Sequence, residues 1–341
     1  MRLSFSGGGS EGVRVAQEIG EQVPEEILQA FGLAGANQRM FADGNVNRHW
    51  RVDAADRTVV VRRYGVPRGL ASIAWEHQLM AFAAAKGWPA PVAEPPATVA
   101  TALGFEAGAW TCHRFLEGEA APRDTPASRH IMGRLLGRLH KDLAGFEVSG
   151  QRPGFGKTWE LDLMVEPAGA GSFNGLVAAF GREYPELAAA IRRQRYRNLR
   201  ELSRLHYPDL AAHPIHGDFS PRNLLFQDGQ LTGLLDFDFA RQDARLCDLA
   251  PLLMPFQPLE PRLAAALFDG YQSVRRLSEA EWDLLPALVR ASLLWWVALL
   301  LVRWRITGEV PAGIGRTINQ RFPAFDAFEP EVRALAQRAT A

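Results

Sequence analysis

The chain has 341 residues, enough for one large or two modest domains, and its 47% apolar and 22% charged residues are those of an ordinary folded, soluble protein. Lys+Arg and Asp+Glu balance at 38 each, so no overall field draws the chain to nucleic acid or to an anionic membrane. Two cysteines, Cys112 and Cys247, are too few for a disulfide framework, and the opening "MRLSFSGGGSEG" has no apolar secretion core, so the chain reads as cytoplasmic.

In chain order, residues 1–23 read as a flexible Ser/Gly tail and "VPEEILQAF" as a short helix, with Pro24 in its first turn and Glu25 and Glu26 complementing the dipole. The period then changes. "NVNRHWRVDAADRTVVVRRYG" places two β-like runs around a polar turn at Ala54 to Arg57, the pattern of a hairpin. "ASIAWEHQLMAFAAAKG" follows a helical repeat closed by Gly87 and Pro89, and "ATVATALGFEAGAWTCHRFLEG" supplies two further strands. Past "EGEAAPRDTP", which has the composition of a linker, the pattern is mostly helical: Thr125 caps a helix through "IMGRLLGRLHKDL", and helical periodicity covers Leu176 to His206 and most of the last hundred residues. The apolar "ASLLWWVALLLV" is closed by Arg290 and Arg303 at twelve residues, short of the roughly 20 that span a bilayer, so a buried core helix is expected. One stretch departs from the helical pattern. "NLLF" and "LTGLLDF" flank the turn signal "QDGQ", predicting a small hairpin inside the helical half.

Chemistry concentrates around that hairpin. "HGDFSPRN" leaves four residues between Asp218 and Asn223, the kinase spacing of a proton-accepting Asp and a metal-holding Asn, and "LLDFD" sets Asp236 at the exit of an apolar strand. Phosphoryl transfer needs this set, because the protein mainly positions a nucleophile and supplies hard oxygens to a charge-neutralising cation. Taken singly, the same residues are those that favour turns and caps.

With "HPIHGDFSPRNLLF", "GLLDFDFARQDARLCDLA" and "GRLHKDL" in view, and "DGNVNRHWRV" and "VVVRRYG" as weaker support, the chain resembles the aminoglycoside phosphotransferase and choline kinase family, and within it the type II homoserine kinases. The resemblance implies an α+β, bilobal, protein-kinase-like fold: a sheet-rich nucleotide lobe over residues 24–118 and a larger, mostly helical catalytic and substrate lobe over 119–341. It implies Asp218 as catalytic base, Asn223 and Asp236 as Mg²⁺ ligands, His216 as a hydrogen-bonding brace of the catalytic loop, and Asp248 as a structural partner of that loop. It further implies ATP held by a basic residue of the third strand paired with a Glu of the next helix, here Arg62 and Glu76, and by backbone N–H groups from Gly44 to Asn47. Arg replaces the family's usual Lys, in a chain whose only lysines are Lys86, Lys141 and Lys157; a guanidinium keeps the charge but presents a planar fork. The segment near "CHRFLEG" would join the lobes and meet adenine. Asp238 is open between approaching the metal site and facing solvent.

Other constellations carry less. "GFGKT" lacks the upstream glycine of a phosphate-binding loop, position 151 being Gln. His213, His216 and Asp218 do not face together in an extended run, which disfavours zinc; Cys112 and His113 point apart on a strand; Arg192, Arg193, Arg195 and Arg197 read as a solvated helix face. The expected function is therefore transfer of the ATP γ-phosphate to a hydroxyl of a small polar molecule by a monomer or homodimer, with no nucleic-acid or membrane partner. Nine acidic and ten basic residues from position 251 onward lean toward an acceptor bearing both charges, such as homoserine or an amino alcohol, rather than a polycationic aminoglycoside. Arg62 and the glycine-poor loop keep a nucleotide-binding pseudokinase scaffold as the reading from another class.

Overall fold

Period-two alternation on three neighbouring strands sets up the amino-terminal lobe. The computed structural model describes residues 22–41, 47–65, 68–94, 102–105, 108–121, 124–147, 150–166, 169–253 and 260–340; most of the expected tail, and Gly44, lie outside the described residues. Five antiparallel strands, β1 (Asn37–Met40), β2 (Arg48–Asp53), β3 (Thr58–Arg63), β4 (Ala102–Phe105) and β5 (Gly108–Arg114), form one sheet in the order β1-β2-β3-β5-β4. Trp50, Val52, Val59, Val61, Trp110 and Cys112 turn one face into an apolar core, which Ile27, Leu28 and Phe31 in and beside helix α1 (Glu25–Ala30) cover. Cross-strand register places His49, Arg62 and Thr111 side by side on the other face.

Helix α2 (Leu70–Ala85) lies between sheet and helices, and its Trp75, Leu79, Met80 and Ala83 join the core of the second lobe. That lobe begins with β6 (Glu119–Ala120), a short strand paired with β8 inside the segment expected to be a linker. Thr125 then caps α3 (Pro126–Leu143) in a reciprocal capping box with Ser128. The helical pattern over Leu176 to His206 falls on two helices: α4 (Leu161–Val165) leads into α5 (Phe173–Phe180), the chain turns at Gly181, and α6 (Pro185–Arg204) restarts at a proline, with Tyr184 stacked on Phe180 across the turn. Strands β7 (His213–Ile215) and β10 (Arg241–Asp243) pair as a two-stranded ribbon that sequence alone did not predict. The hairpin of β8 (Leu224–Gln227) and β9 (Gln230–Leu234) forms as expected, with Asp228 and Gly229 both at positive φ in its turn.

Helices α7 (Leu246–Leu249), α8 (Pro261–Gln272), α9 (Glu279–Thr307), α10 (Ala312–Arg316) and α11 (Phe322–Thr340) complete the lobe. The boundary placed at Arg290 and Arg303 is overturned, since α9 runs 29 residues through both arginines. By length and hydropathy α9 could cross a membrane, but 83% of its most apolar 18-residue window is buried within the protein, as in a core helix. Arg290 is fully buried there, its charge met by Asp326 and Glu329 of α11 and by Glu201 of α6.

Candidate active site

The loop between β7 and β8 is built around a glycine and an aspartate. Gly217 sits at φ +82°, and a Cβ there would lie 2.0 Å from the carbonyl oxygen of Phe239, so only glycine lets the two loops touch. From below, the Asp248 carboxylate accepts the backbone N–H groups of His216 (2.8 Å) and Gly217 (2.6 Å) and a ring nitrogen of His140 (3.0 Å). Burial opposes its ionisation, but His140 and these donors outweigh it and hold its pKa below the usual carboxylate value. His216 is buried, which pushes its pKa down to about 4 and keeps it neutral; its Nδ1 accepts the N–H of Asp218 at 3.3 Å, fixing the tautomer.

Asp218 and Asn223 meet directly. The Asn223 amide nitrogen donates to the Asp218 carboxylate (3.0 Å) and carbonyl (2.8 Å), bonds that do not use the Asn223 side-chain oxygen. Burial and the negative charge of Asp236 raise the Asp218 pKa to about 7. Asp236, at the exit of β9, adopts a left-handed backbone (φ +63°). Its Oδ1 is buried with no hydrogen-bond donor, although the side chain as a whole is 35% exposed, and its nearest basic group is Arg62 Nη2 at 3.9 Å. Burial raises its pKa to about 6, with Arg62 opposing and Asp238 adding to the rise. A carboxylate oxygen without a donor and an amide oxygen, from residues flanking the paired ends of β8 and β9, are the donor types a hard divalent cation takes, so Asn223 and Asp236 fit Mg²⁺.

Opposite stands the inner face of the sheet. Arg62 Nη1 donates to Glu76 Oε1 of α2 at 2.9 Å, with the Tyr64 ring 4.3 Å from the guanidinium. Asp238 belongs to the site and not to solvent: it is 1% exposed, 2.9 Å from Arg62 Nη2 and 3.6 Å from Arg68 Nη2. Burial disfavours its charge, but Arg68, Arg62, Arg152 and a bond from Asn47 win and hold its pKa well below the ordinary value. Asn47 is thus engaged through its side chain: Nδ2 donates to Asp238 (3.2 Å) and Oδ1 accepts the N–H of Gly65 (3.1 Å).

Sequence reasoning missed three residues at this site: Arg68, the fully buried Arg152, and His49, whose pKa burial and Arg62 lower to about 3. The signal for His49 lay in its β register opposite Arg62; nothing local marked the two arginines. Of the decoys, Thr158 is buried and donates to Asp243 (2.6 Å), and among the described residues no three or more His, Cys, Asp or Glu side chains converge as a zinc site would need. Beside Phe239 lies a small recess of about 20 Å³, with Arg68, Lys157 and Glu160 among the aromatic side chains of Phe155, Phe239 and Trp295.

A sheet lobe with an Arg–Glu pair, set over a helical lobe whose loops carry an Asp–Asn–Asp set, defines a small-molecule kinase of protein-kinase-like architecture. The chain belongs to the phosphotransferase enzyme family, whose profile it matches over residues 37–285. It is 30% identical over 299 residues to a homoserine kinase of Gluconobacter oxydans, covering 85% of this chain and 90% of that one. It is also 31% identical over 289 residues to the homoserine kinase of Azorhizobium caulinodans, covering 80% and 81%. Its fold is similar to an aminoglycoside phosphotransferase of Alicyclobacillus acidocaldarius (TM-score 0.63, 17% identity, covering 94% and 97%) and to a microcompartment-associated aminopropanol kinase (TM-score 0.63, 17% identity, covering 91% and 97%).

Proposed function

We propose that this chain phosphorylates the hydroxyl of a small amino acid or amino alcohol, homoserine foremost, with ATP and Mg²⁺ and in the cytoplasm. The observation that carries the catalytic reading is the contact of Asn223 with Asp218 beside the bare oxygen of Asp236. Asp218 orients the acceptor hydroxyl and takes its proton, His216 and Asp248 hold that carboxylate's loop, and Asn223 and Asp236 hold the cation. Mg²⁺, when bound, neutralises phosphate charge. Arg62, kept in place by Glu76, directs its guanidinium toward the same cleft, where a planar fork meets phosphate oxygens.

For the acceptor, the support is the homoserine kinase relatives and the near balance of charge in the carboxy-terminal helices. Nine acidic against ten basic residues from position 251 onward suit a molecule bearing both a carboxylate and an ammonium, whereas a polycationic aminoglycoside asks for an acidic pocket. The test is ADP release with homoserine, aminopropanol, choline and an aminoglycoside side by side. Homoserine should give the highest kcat/KM, and Asp218→Ala should abolish turnover while Mg·ADP still binds. Preference for the aminoglycoside, or full turnover by Asp218→Ala, would refute the reading.

A further inference from the structure

We propose that Arg152, outside the Asp–Asn–Asp set, is a positioning residue that presets the Arg62–Glu76 pair and the loop after β9 before any ligand arrives. This inference rests on the reading above that Arg62 and Asp236 serve a metal-bound nucleotide.

Arg152 lies between α3 and α4 and is fully buried. Its guanidinium divides itself between two elements. Toward α2, Nη2 donates to Glu76 Oε2 at 2.6 Å and Nε to the Ser72 hydroxyl at 2.9 Å. Toward the loop after β9, Nη1 donates to the carbonyls of Phe237 (3.2 Å), Asp238 (2.8 Å) and Ala240 (3.0 Å). The Phe155 ring lies 4.3 Å from the guanidinium and excludes water from that side.

Glu76 is thereby shared. Oε1 meets Arg62 of the sheet lobe, and Oε2 meets Arg152 of the helical lobe. In protein kinases the corresponding basic–acidic pair must be assembled for activity, and regulation acts by moving the helix that bears the acid. Here that helix has little freedom to move. Its Trp75, Leu79, Met80 and Ala83 are part of the helical lobe's core, Trp75 packs edge-on against Phe146 at 5.4 Å, and Arg152 adds a charged tie from the same side. The residue type matters as much as the charge. A planar fork with separate Nε, Nη1 and Nη2 donors spans a serine, a carboxylate and three carbonyls; a lysine ammonium has three donors on a single nitrogen and cannot reach both the α2 groups and the loop carbonyls.

Loss of the guanidinium should therefore act through Glu76 and through the loop that carries Asp236, and not on the acceptor. In Arg152→Met we expect kcat/KM for ATP to fall about 100-fold and the Mg·ADP dissociation constant to rise about tenfold, with acceptor KM changing less than about twofold. Arg152→Lys should recover only a small part. Because Glu76 and Arg152 share one contact while Glu76 alone also holds Arg62, the double variant Glu76→Gln/Arg152→Met should lose less than the product of the two single losses. Hydrogen exchange of residues 70–85 and 236–241 should quicken in Arg152→Met. Full ATP kcat/KM in a folded Arg152→Met enzyme, multiplicative losses in the double variant, or unchanged exchange in those two segments would overturn the proposal. Should Arg152→Met not fold, Ser72→Ala, which removes only the Nε partner, gives the second test: quicker exchange in residues 70–85 supports the tie, and none refutes it. Mg·ADP binding and exchange need no acceptor, so a wrong acceptor leaves this inference standing, and failure of Asp218→Ala to lose activity strikes the catalytic reading alone.

Discussion

Asp218 is held at an energetic cost, and Asp218→Asn should make that cost visible. Its carboxyl is half-buried beside Asp236, and burial followed by that neighbouring charge lifts its pKa from 3.8 to about 7. Taken at face value, at about 1.36 kcal/mol per pH unit, the displacement is worth about 4 kcal/mol. Partial solvent access screens it, so about 1 to 2 kcal/mol is the expected yield. The sign follows from proton counting. Between pH 4 and 7 the folded protein binds more protons at this group than the unfolded chain does, so stability falls as pH rises through that window and levels off above it. The substituted carboxamide carries no such proton and can still accept the bond from Asn223. Ligand-free Asp218→Asn should therefore melt about 2 to 4 °C above wild type at pH 8. The gap should close toward pH 4.5, and the variant should be inactive. Thermal melts from pH 4.5 to 8.5 are the assay. A wild type that is the more stable at pH 8, or two curves that stay parallel across the range, would refute the placement of a strained carboxylate here.

Asp248→Asn replaces an anion that receives two backbone N–H groups and His140 with a group that turns N–H toward one of those donors; denaturant unfolding should show a loss of about 2 to 4 kcal/mol, with turnover reduced alongside. Gly217→Ala combines a positive φ with a Cβ driven into the Phe239 carbonyl, so kcat should fall about 100-fold while far-UV circular dichroism stays native; near-normal kcat would show that the loops need not touch. Arg290→Met leaves the carboxylates of Glu201, Asp326 and Glu329 together without their cation, and should cost about 2 kcal/mol at pH 7. Burial opposes ionisation of Glu329, but the Arg290 and Arg333 bonds lower its folded pKa, so that stabilisation is present above the ordinary carboxylate pKa and is lost on acidification. Melts at pH 7 and pH 4 should therefore show the variant's deficit shrinking at the lower pH.

Local rules settled much of this molecule before any coordinates. The Asp228–Gly229 turn, the Thr125 cap and the valine-rich strand β3 are decided by neighbours within a few residues, and each forms where its pattern falls. The same holds for the spacing of Asp218 and Asn223, since five residues of tight loop bring two side chains into contact. Short strands were legible only where they alternate or flank a turn: β6, with two residues, and the β7–β10 ribbon exist because distant partners supply their hydrogen bonds. The extent of α9 was hidden for a related reason, because a buried arginine is tolerated mid-helix only if carboxylates from elsewhere meet it.

Composition and motif spacing alone thus specified a sheet-rich and a helix-rich part and the loop spacing that brings Asp218 and Asn223 into contact. The burial of Asp238 among arginines, the sharing of Glu76 between Arg62 and Arg152, and the docking of α2 on the helical lobe arose only when the chain closed on itself. The Arg62–Asp238 pair joins residues 176 positions apart (238 − 62), and a guanidinium's partner at such separation is chosen by packing, on which the residues flanking it in sequence are silent.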